Sequence, residues 1–283
     1  MLINGVDLAT QSKRTLTDLI KKYHLSPKLA VIVVGDDPAS QRYVRNKERD
    51  CREVGIDFER IAFKENVGAI EVMAAIHACN MRQDTHGIIV QLPLPKHLNA
   101  NELLNCIAAS KDVDSLSRYH VGELRMTNNQ TFAPCTPMAV LSMLKALPIE
   151  LEGATCTIIG RSNLVGLPLA YLLTQAGATV TVCHSKTKNL AAACRNADIL
   201  VSAAGKAGLV TADMVKDGAT VIDVGINQGP DGKLCGDVCF EEVRYKAAHI
   251  TPVPGGVGPM TRVMLLSKVV SVAAAMSGVD LDV

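Results

Sequence analysis

Tryptophan is absent from the sequence, and aromatic residues make up only 3% of its 283 positions. A core built without them has to be filled by Leu, Ile, Val and Ala, the composition of a parallel sheet covered by helices. An excess of charge is missing too. Against 28 acidic residues stand 29 basic ones, a formal net charge of +1. That balance gives no electrostatic case for nucleic acid or an anionic membrane as partner. No C-x-x-C occurs. The nine cysteines (51, 79, 106, 135, 156, 183, 194, 235 and 239) are odd in number and scattered. Cys235 and Cys239 have no histidine at a metal-ligand spacing. They read as reduced, mostly small hydrophobes of a cytoplasmic protein, with no metal expected. The seven histidines form no ligand cluster. The N-terminal MLINGVDLATQSKR has no basic region followed by an apolar run, so no signal peptide is expected. The most apolar tract, 263–279, is interrupted by Lys268 and serines and reads as a closing amphipathic helix rather than a membrane span.

What is present is an alternation of short β-branched runs with helix-length segments. KLAVIVVG (28–35) reads as a strand. Asp37-Pro38 then supplies an N-cap and a first-position proline for a helix to Val54, which Gly55 stops. A strand over 56–63, a helix over 69–81 and the strand GIIVQL (87–92), cut off by Pro93 and Pro95, complete a β-α-β-α-β series. A second series follows Thr136-Pro137: strands at 155–160, 179–183, 199–205, 220–225 and near 249–251, with helices at 165–176 and 190–196. The expectation is an α/β protein of two lobes with a cleft between them. The first lobe takes residues 1–136, joined by a closing helix over 262–283. The second, a Rossmann-type dinucleotide domain, takes 137–261.

IIGRSNLVGLP (158–168) follows a strand and opens a helix, in a G-x-S-x-x-x-G variant of the dinucleotide fingerprint. Gly160 permits the tight turn, Ser162 is small enough for close approach, and Gly166 is expected to let the helix pack on the strand. The helix N-terminus then faces a phosphate. Many strand–Gly–helix turns bind nothing, so the next strand matters. It ends Cys183-His184-Ser185-Lys186, without the acid that an NAD enzyme places on its ribose hydroxyls. With Arg161 in the loop, a ribose 2′-phosphate is the better fit, and the expected cofactor is NADP.

The stretch SQRYVRNKERD (40–50) carries six charged side chains. By composition alone Lys47 is an ordinary solvated lysine. On a helix, however, it shares a face with Tyr43, four residues before it. That helix leaves the carboxyl end of one strand, and Gln91 sits at the carboxyl end of a neighbouring one, where open α/β sheets bind ligands. A lysine, a phenol and an amide can therefore converge.

With those residues in view, the sequence resembles the bifunctional methylenetetrahydrofolate dehydrogenase/methenyltetrahydrofolate cyclohydrolases over nearly its whole length. The likeness rests on YVRNK (43–47), GIIVQLPLP (87–95), KDVD (111–114), PCTP (134–137), GRSNLVG (160–166), VIDVGIN (221–227), GDV (236–238) and TPVPGGVGPMT (251–261), in family order and spacing. The resemblance implies a folate pocket lined by Tyr43, Lys47, Gln91 and Asp114 and closed by Pro254 and Gly255. It implies NADP contacts from Gly160, Arg161, Ser162, Ser185 and Ile226, and a homodimer. Oxidation of the one-carbon bridge needs mainly positioning. Hydrolysis of the resulting cation needs a proton carrier, for which Lys47 is the candidate, oriented by Tyr43 and Gln91. Asp114 suits the adjacent N–H donors of a pterin ring, and Asp223 reads as structural.

Three positions depart from the family pattern. Ser115-Leu116 stand where Gly-Phe is usual, Ala139 where Gly is usual, and Leu167 where relatives are often basic. Ser115 would stiffen the loop presenting Asp114 if that loop needs a positive φ. The competing readings are a dehydrogenase with weak cyclohydrolase activity, a non-catalytic nucleotide-binding relative, and an NADP enzyme acting on a small hydroxy acid.

Overall fold

A computed structural model describes residues 1–229 and 232–281. The chain forms two compact units: residues 11–132 with the chain from Arg262 onward, and Met1–Thr10 with Ala133–Thr261. Residues 282–283, placed by the sequence reading in the closing segment, lie outside the described residues. The first ten residues fall in the second unit, not in the first as the order of strands and helices in the sequence predicts. The reason is a short backbone pairing: Leu2 bridges Ile250, and the Ile3 N–H donates to the Ile250 carbonyl at 2.8 Å.

The first unit runs through α1 (Gly5–Lys22, which begins in the other), β1 (Lys28–Val34), α2 (Pro38–Val54), β2 (Asp57–Phe63), α3 (Ala69–Met81), β3 (Gly87–Val90), α4 (Ala100–Leu104) and α5 (Arg118–Thr127). Its sheet is parallel, in the order β2-β1-β3. Leu29 to Val34 of the central strand are all buried, so β1 reads as a continuous apolar run rather than an alternation. The start and stop of α2 follow from its ends. The Asp37 carboxylate accepts the Ser40 N–H at 2.7 Å, Pro38 takes the first turn, and Gly55 closes the helix at φ +90°.

The second unit contains α6 (Cys135–Lys145), β4 (Thr155–Ile159), α7 (Gly166–Gln175), β5 (Thr179–Cys183), α8 (Leu190–Arg195), β6 (Ile199–Ser202), β7 (Thr220–Asp223), the hairpin β8 (Asn227–Gln228) and β9 (Leu234–Cys235), α9 (Phe240–Val243) and β10 (His249–Ile250). Its main sheet is parallel, in the order β10-β7-β6-β4-β5. The last helix, α10 (Val257–Met276), is long and apolar enough by composition to span a bilayer, but half of its apolar window is buried inside the protein. Val263, Leu266, Val269, Val270 and Ala273 are core residues. A Cβ at Gly87, the first residue of β3, would lie 3.0 Å from Val269.

Asp50 ties three helices of the first unit together. It is fully buried in α2, with Lys13 of α1 at 3.0 Å and Arg262 of α10 also hydrogen-bonded to its carboxylate. Burial by itself raises Asp50, but the hydrogen bonds and charges of Arg262 and Lys13 outweigh it and hold the carboxyl below its ordinary range. Removing one partner of a buried pair costs about 3–5 kcal/mol, so Asp50→Asn is expected to lower the urea midpoint clearly at pH 7. A depressed carboxyl contributes stability that is present above its unfolded value of about 3.9 and is lost as pH falls through the folded value. The gap between variant and wild type should therefore close below about pH 4. A gap of constant size from pH 7 to pH 3 would contradict the assignment.

Candidate active site

In the first sheet the chain leaves β1 to one side for β2 and then crosses to the other side for β3. The carboxyl ends of β1 and β3 thus flank a topological switch point, where open α/β sheets form ligand crevices. Gln91 directly follows β3, its N–H held by the Ile32 carbonyl at 2.9 Å. The buried side-chain amide donates to the Leu92 carbonyl at 2.7 Å, which leaves Oε1 to accept from Lys47 Nζ at 3.0 Å. The backbone thus fixes which face of the amide Lys47 meets, and two of the three ammonium N–H donors remain for a ligand or water. Tyr43 lies one turn earlier on α2 and is 38% exposed. Burial holds its phenol above the ordinary range, against the opposing pull of Arg42 and Arg262. Its hydroxyl has no hydrogen-bond partner among the described residues.

Around Asp114 every neighbour is tied inward. Lys111 is buried and donates to the carbonyls of Cys79, Asn80 and Arg82 at 3.3, 2.8 and 2.5 Å, capping the negative end of α3. Asp112 accepts the N–H groups of Leu116 and Ser117 at 3.4 and 2.9 Å and faces His120 Nδ1 at 3.2 Å. Burial pushes Asp112 up, and the His120 and Ser117 hydrogen bonds more than reverse it. Ser115 does adopt a positive φ, +56°, and its buried hydroxyl accepts from Lys268 Nζ at 2.5 Å. The left-handed backbone that favours glycine is thus held, with serine, by a hydrogen bond to α10. Asp114 itself is half-buried, and among the described residues no donor meets its carboxylate. A loop anchored by these bonds presents one carboxylate with open lone pairs.

The second sheet repeats the topology. β5 lies on one side of β4 and β6 on the other, so the carboxyl ends of β4 and β6 flank the crevice. Gly160, just after β4, has φ +125°, and a Cβ there would lie 2.3 Å from the Ala203 carbonyl oxygen. A Cβ at Gly166 would lie 2.0 Å from the Gly160 carbonyl oxygen. The first residue of α7 thus closes onto Gly160, which at the end of β4 still donates its N–H to the Cys183 carbonyl of β5, and only glycine leaves room for that approach of helix to strand. Ser162 Oγ accepts the Val165 N–H at 3.1 Å and opens α7. Arg161 and Ser185 are exposed at the ends of the paired strands β4 and β5, and the guanidinium has no partner among the described residues. The Ser185 turn is held by the His184 N–H donating to Thr187 Oγ1 at 2.9 Å and the Lys186 N–H donating to His184 Nδ1 at 3.1 Å. Ile226, after β7, is 48% exposed. Pro254 and Gly255 (φ +106°) belong to this unit, in the loop after β10. A glycine cradle with no room for a Cβ, beside a free guanidinium and a hydroxyl and without an acid, fits a phosphorylated dinucleotide.

Comparison with known proteins gives a consistent result. Residues 3–114 match the family described as tetrahydrofolate dehydrogenase/cyclohydrolase, catalytic domain, and residues 134–277 match the NAD(P)-binding domain of the same family. The chain is 51% identical over 265 residues to the bifunctional protein FolD of Campylobacter concisus, covering 94% of this chain and 93% of that protein. It superposes with a TM-score of 0.95 on the bifunctional FolD methylenetetrahydrofolate dehydrogenase/cyclohydrolase of Campylobacter jejuni, at 47% identity over 97% of this chain and 99% of that one. The Trypanosoma brucei FolD enzyme, solved with NADP cofactor and an inhibitor, superposes at 0.92 with 37% identity, over 97% of each chain.

Proposed function

The chain belongs to the tetrahydrofolate dehydrogenase/cyclohydrolase family, and from that premise we propose which of its residues carry the two reactions. The protein is a bifunctional enzyme of folate one-carbon metabolism. It oxidises 5,10-methylenetetrahydrofolate to the 5,10-methenyl cation with NADP and hydrolyses that cation to 10-formyltetrahydrofolate.

In the hydrolytic step, water adds to the cationic carbon and one carbon–nitrogen bond opens. Lys47, acting as the neutral amine, takes a proton from the attacking water, becomes the ammonium and returns that proton to the departing nitrogen. The remaining water proton leaves to solvent as the formyl carbonyl forms. Gln91 Oε1 accepts from Lys47 Nζ and holds that nitrogen on target, and Tyr43 flanks it. The observation that supports this most is the 3.0 Å hydrogen bond that joins Lys47 to a backbone-locked amide at the switch point of its sheet. Asp114, anchored on both sides and itself unpaired, accepts the paired N–H donors of the pterin. Pro254 and Gly255 enter the reading on family likeness alone.

NADP⁺, when bound, accepts the hydride released by the one-carbon bridge. Gly160 and Gly166 leave its phosphates room against the backbone, with Ser162 opening the helix behind them. Arg161 and Ser185 would hold the ribose 2′-phosphate, and Ile226 would pack against the cofactor. On the same family likeness the enzyme is a homodimer in the cytoplasm.

The test is Asp114→Ala. Hydrogen bonds to a charged group contribute about 1.5–3 kcal/mol, so tetrahydrofolate binding should weaken by roughly 10- to 100-fold with NADP affinity unchanged. Unaltered folate affinity, read by titration calorimetry, would remove Asp114 from the site.

A further inference from the structure

Two buried carboxylates that the proposed chemistry does not use lie together in the unit of the five-stranded sheet. Asp237 is fully buried. Its Oδ2 accepts from Ser202 Oγ at 2.9 Å and from the N–H groups of Ala204 and Gly205 at 2.7 and 3.2 Å. Its Oδ1 accepts from the Lys206 N–H at 2.8 Å and from Asn227 Nδ2 at 2.9 Å. Asp223 is 3% exposed and accepts the N–H groups of Gly225, Asp237 and Val238 at 2.9, 3.0 and 2.9 Å. Its own N–H donates to Thr251 Oγ1 at 2.7 Å. Among the described residues no cationic side chain is paired with either carboxylate; both are held by N–H and O–H dipoles, in the manner of an anion in a backbone nest. Burial, resisted by those N–H bonds and reinforced by the charge of Asp237, pushes Asp223 up to about 6.

The packing leaves no slack. A Cβ at Gly225 would lie 2.1 Å from Asp237 Oδ1, and one at Gly236 would lie 1.9 Å from Asp223 Oδ2. The pair stitches the carboxyl ends of β6, β7 and β10, which are neighbours in the sheet. The segment that Asp237 captures, Ala204–Lys206, directly follows Ala203, whose carbonyl the Gly160 turn approaches. Its other partner, Asn227, directly follows Ile226.

We propose that Asp237 is a positioning residue for NADP: its carboxylate fixes the backbone of residues 203–206, on which the Gly160 turn rests, and through Asn227 it fixes Ile226. The inference rests on reading Gly160, Arg161 and Ile226 as the cofactor contacts. An asparagine at 237 keeps the shape but turns an amide NH₂ toward N–H donors, so at least two of the bonds above lose their acceptor.

Hydrolysis of methenyltetrahydrofolate needs no NADP, and it therefore separates positioning from general collapse. Asp237→Asn should raise the NADP⁺ dissociation constant at least tenfold by titration calorimetry, with methenyl hydrolysis within twofold of wild type. Asn227→Ala, which leaves the carboxylate and its loop bonds in place, should raise it several-fold with the same unchanged hydrolysis, and it decides the matter if the Asp237 variant does not fold. Wild-type NADP⁺ affinity in the variant that folds overturns the proposal. So does a parallel loss of NADP⁺ binding, hydrolysis and melting temperature, which marks a structural role only. Arg161→Ala is measured alongside. If it too binds NADP⁺ like wild type, the reading of the cofactor site has failed; if it alone is weakened, only the inference about Asp237 has.

Discussion

Gly160→Ala is expected to lose roughly 30-fold or more in NADP⁺ affinity while it continues to hydrolyse methenyltetrahydrofolate. Two costs add at this position. A φ of +125° is a conformation that L side chains rarely adopt, worth about 1–3 kcal/mol for a non-glycine residue. The new methyl would also sit 2.3 Å from the Ala203 carbonyl oxygen. Forced overpacking of that kind costs about 1–3 kcal/mol more. The neighbour cannot easily give way, because the next three residues are bonded to Asp237. The strain falls on the turn between β4 and α7, so the phosphate cradle moves. At about 1.4 kcal/mol per tenfold, the sum corresponds to roughly 30-fold or more in binding. Titration of the variant with NADP⁺ checks it. Wild-type affinity would mean that the glycine turn is not the cradle.

Lys47→Met carries the other large effect. Methionine keeps most of the length and the apolar stem of lysine but cannot carry a proton. A positioned general acid/base contributes about 10²–10⁴-fold, and hydrolysis of methenyltetrahydrofolate should fall by that much. The oxidative step moves a hydride and asks no proton of Lys47. Supplied with methylenetetrahydrofolate and NADP⁺, the variant should therefore go on making the methenyl cation and let it accumulate. A methenyl signal that decays as fast as in wild type would assign the proton transfer to another group.

The two predictions draw on features that differ in how far they were legible in the residues. α2 was readable to its ends because Asp37, Pro38 and Gly55 act within one turn of the chain they cap. Lys47 and Gln91 were paired in advance because helical spacing and the carboxyl-end rule are both local-to-sheet arguments, and the switch point between β1 and β3 supplied the rest. α1 escaped because its buried Ala9, Leu16 and Ile20 are sparse among polar residues. The pairing of residues 1–3 with Ile250 escaped because two or three backbone contacts across the length of the chain leave no periodic trace. The same distance hid Lys268 from Ser115, although the need for a positive φ there was legible from the glycine expected at that point. Asp223 read only as structural, and Asp237 only as part of a motif. The signal that was available is the glycine near each one, D-V-G and G-D-V, whose missing side chain makes room for the other aspartate's carboxylate.

The central claim is that the Lys47 ammonium, fixed by Gln91, serves the one-carbon unit. A crystal structure of the protein with a folate substrate analogue bound measures it most directly. The account predicts Lys47 Nζ within about 3.2 Å of the one-carbon group, directly or through a single water, with the Gln91 hydrogen bond retained. A folate bound with that nitrogen turned into bulk solvent, remote from the reacting carbon, would contradict it.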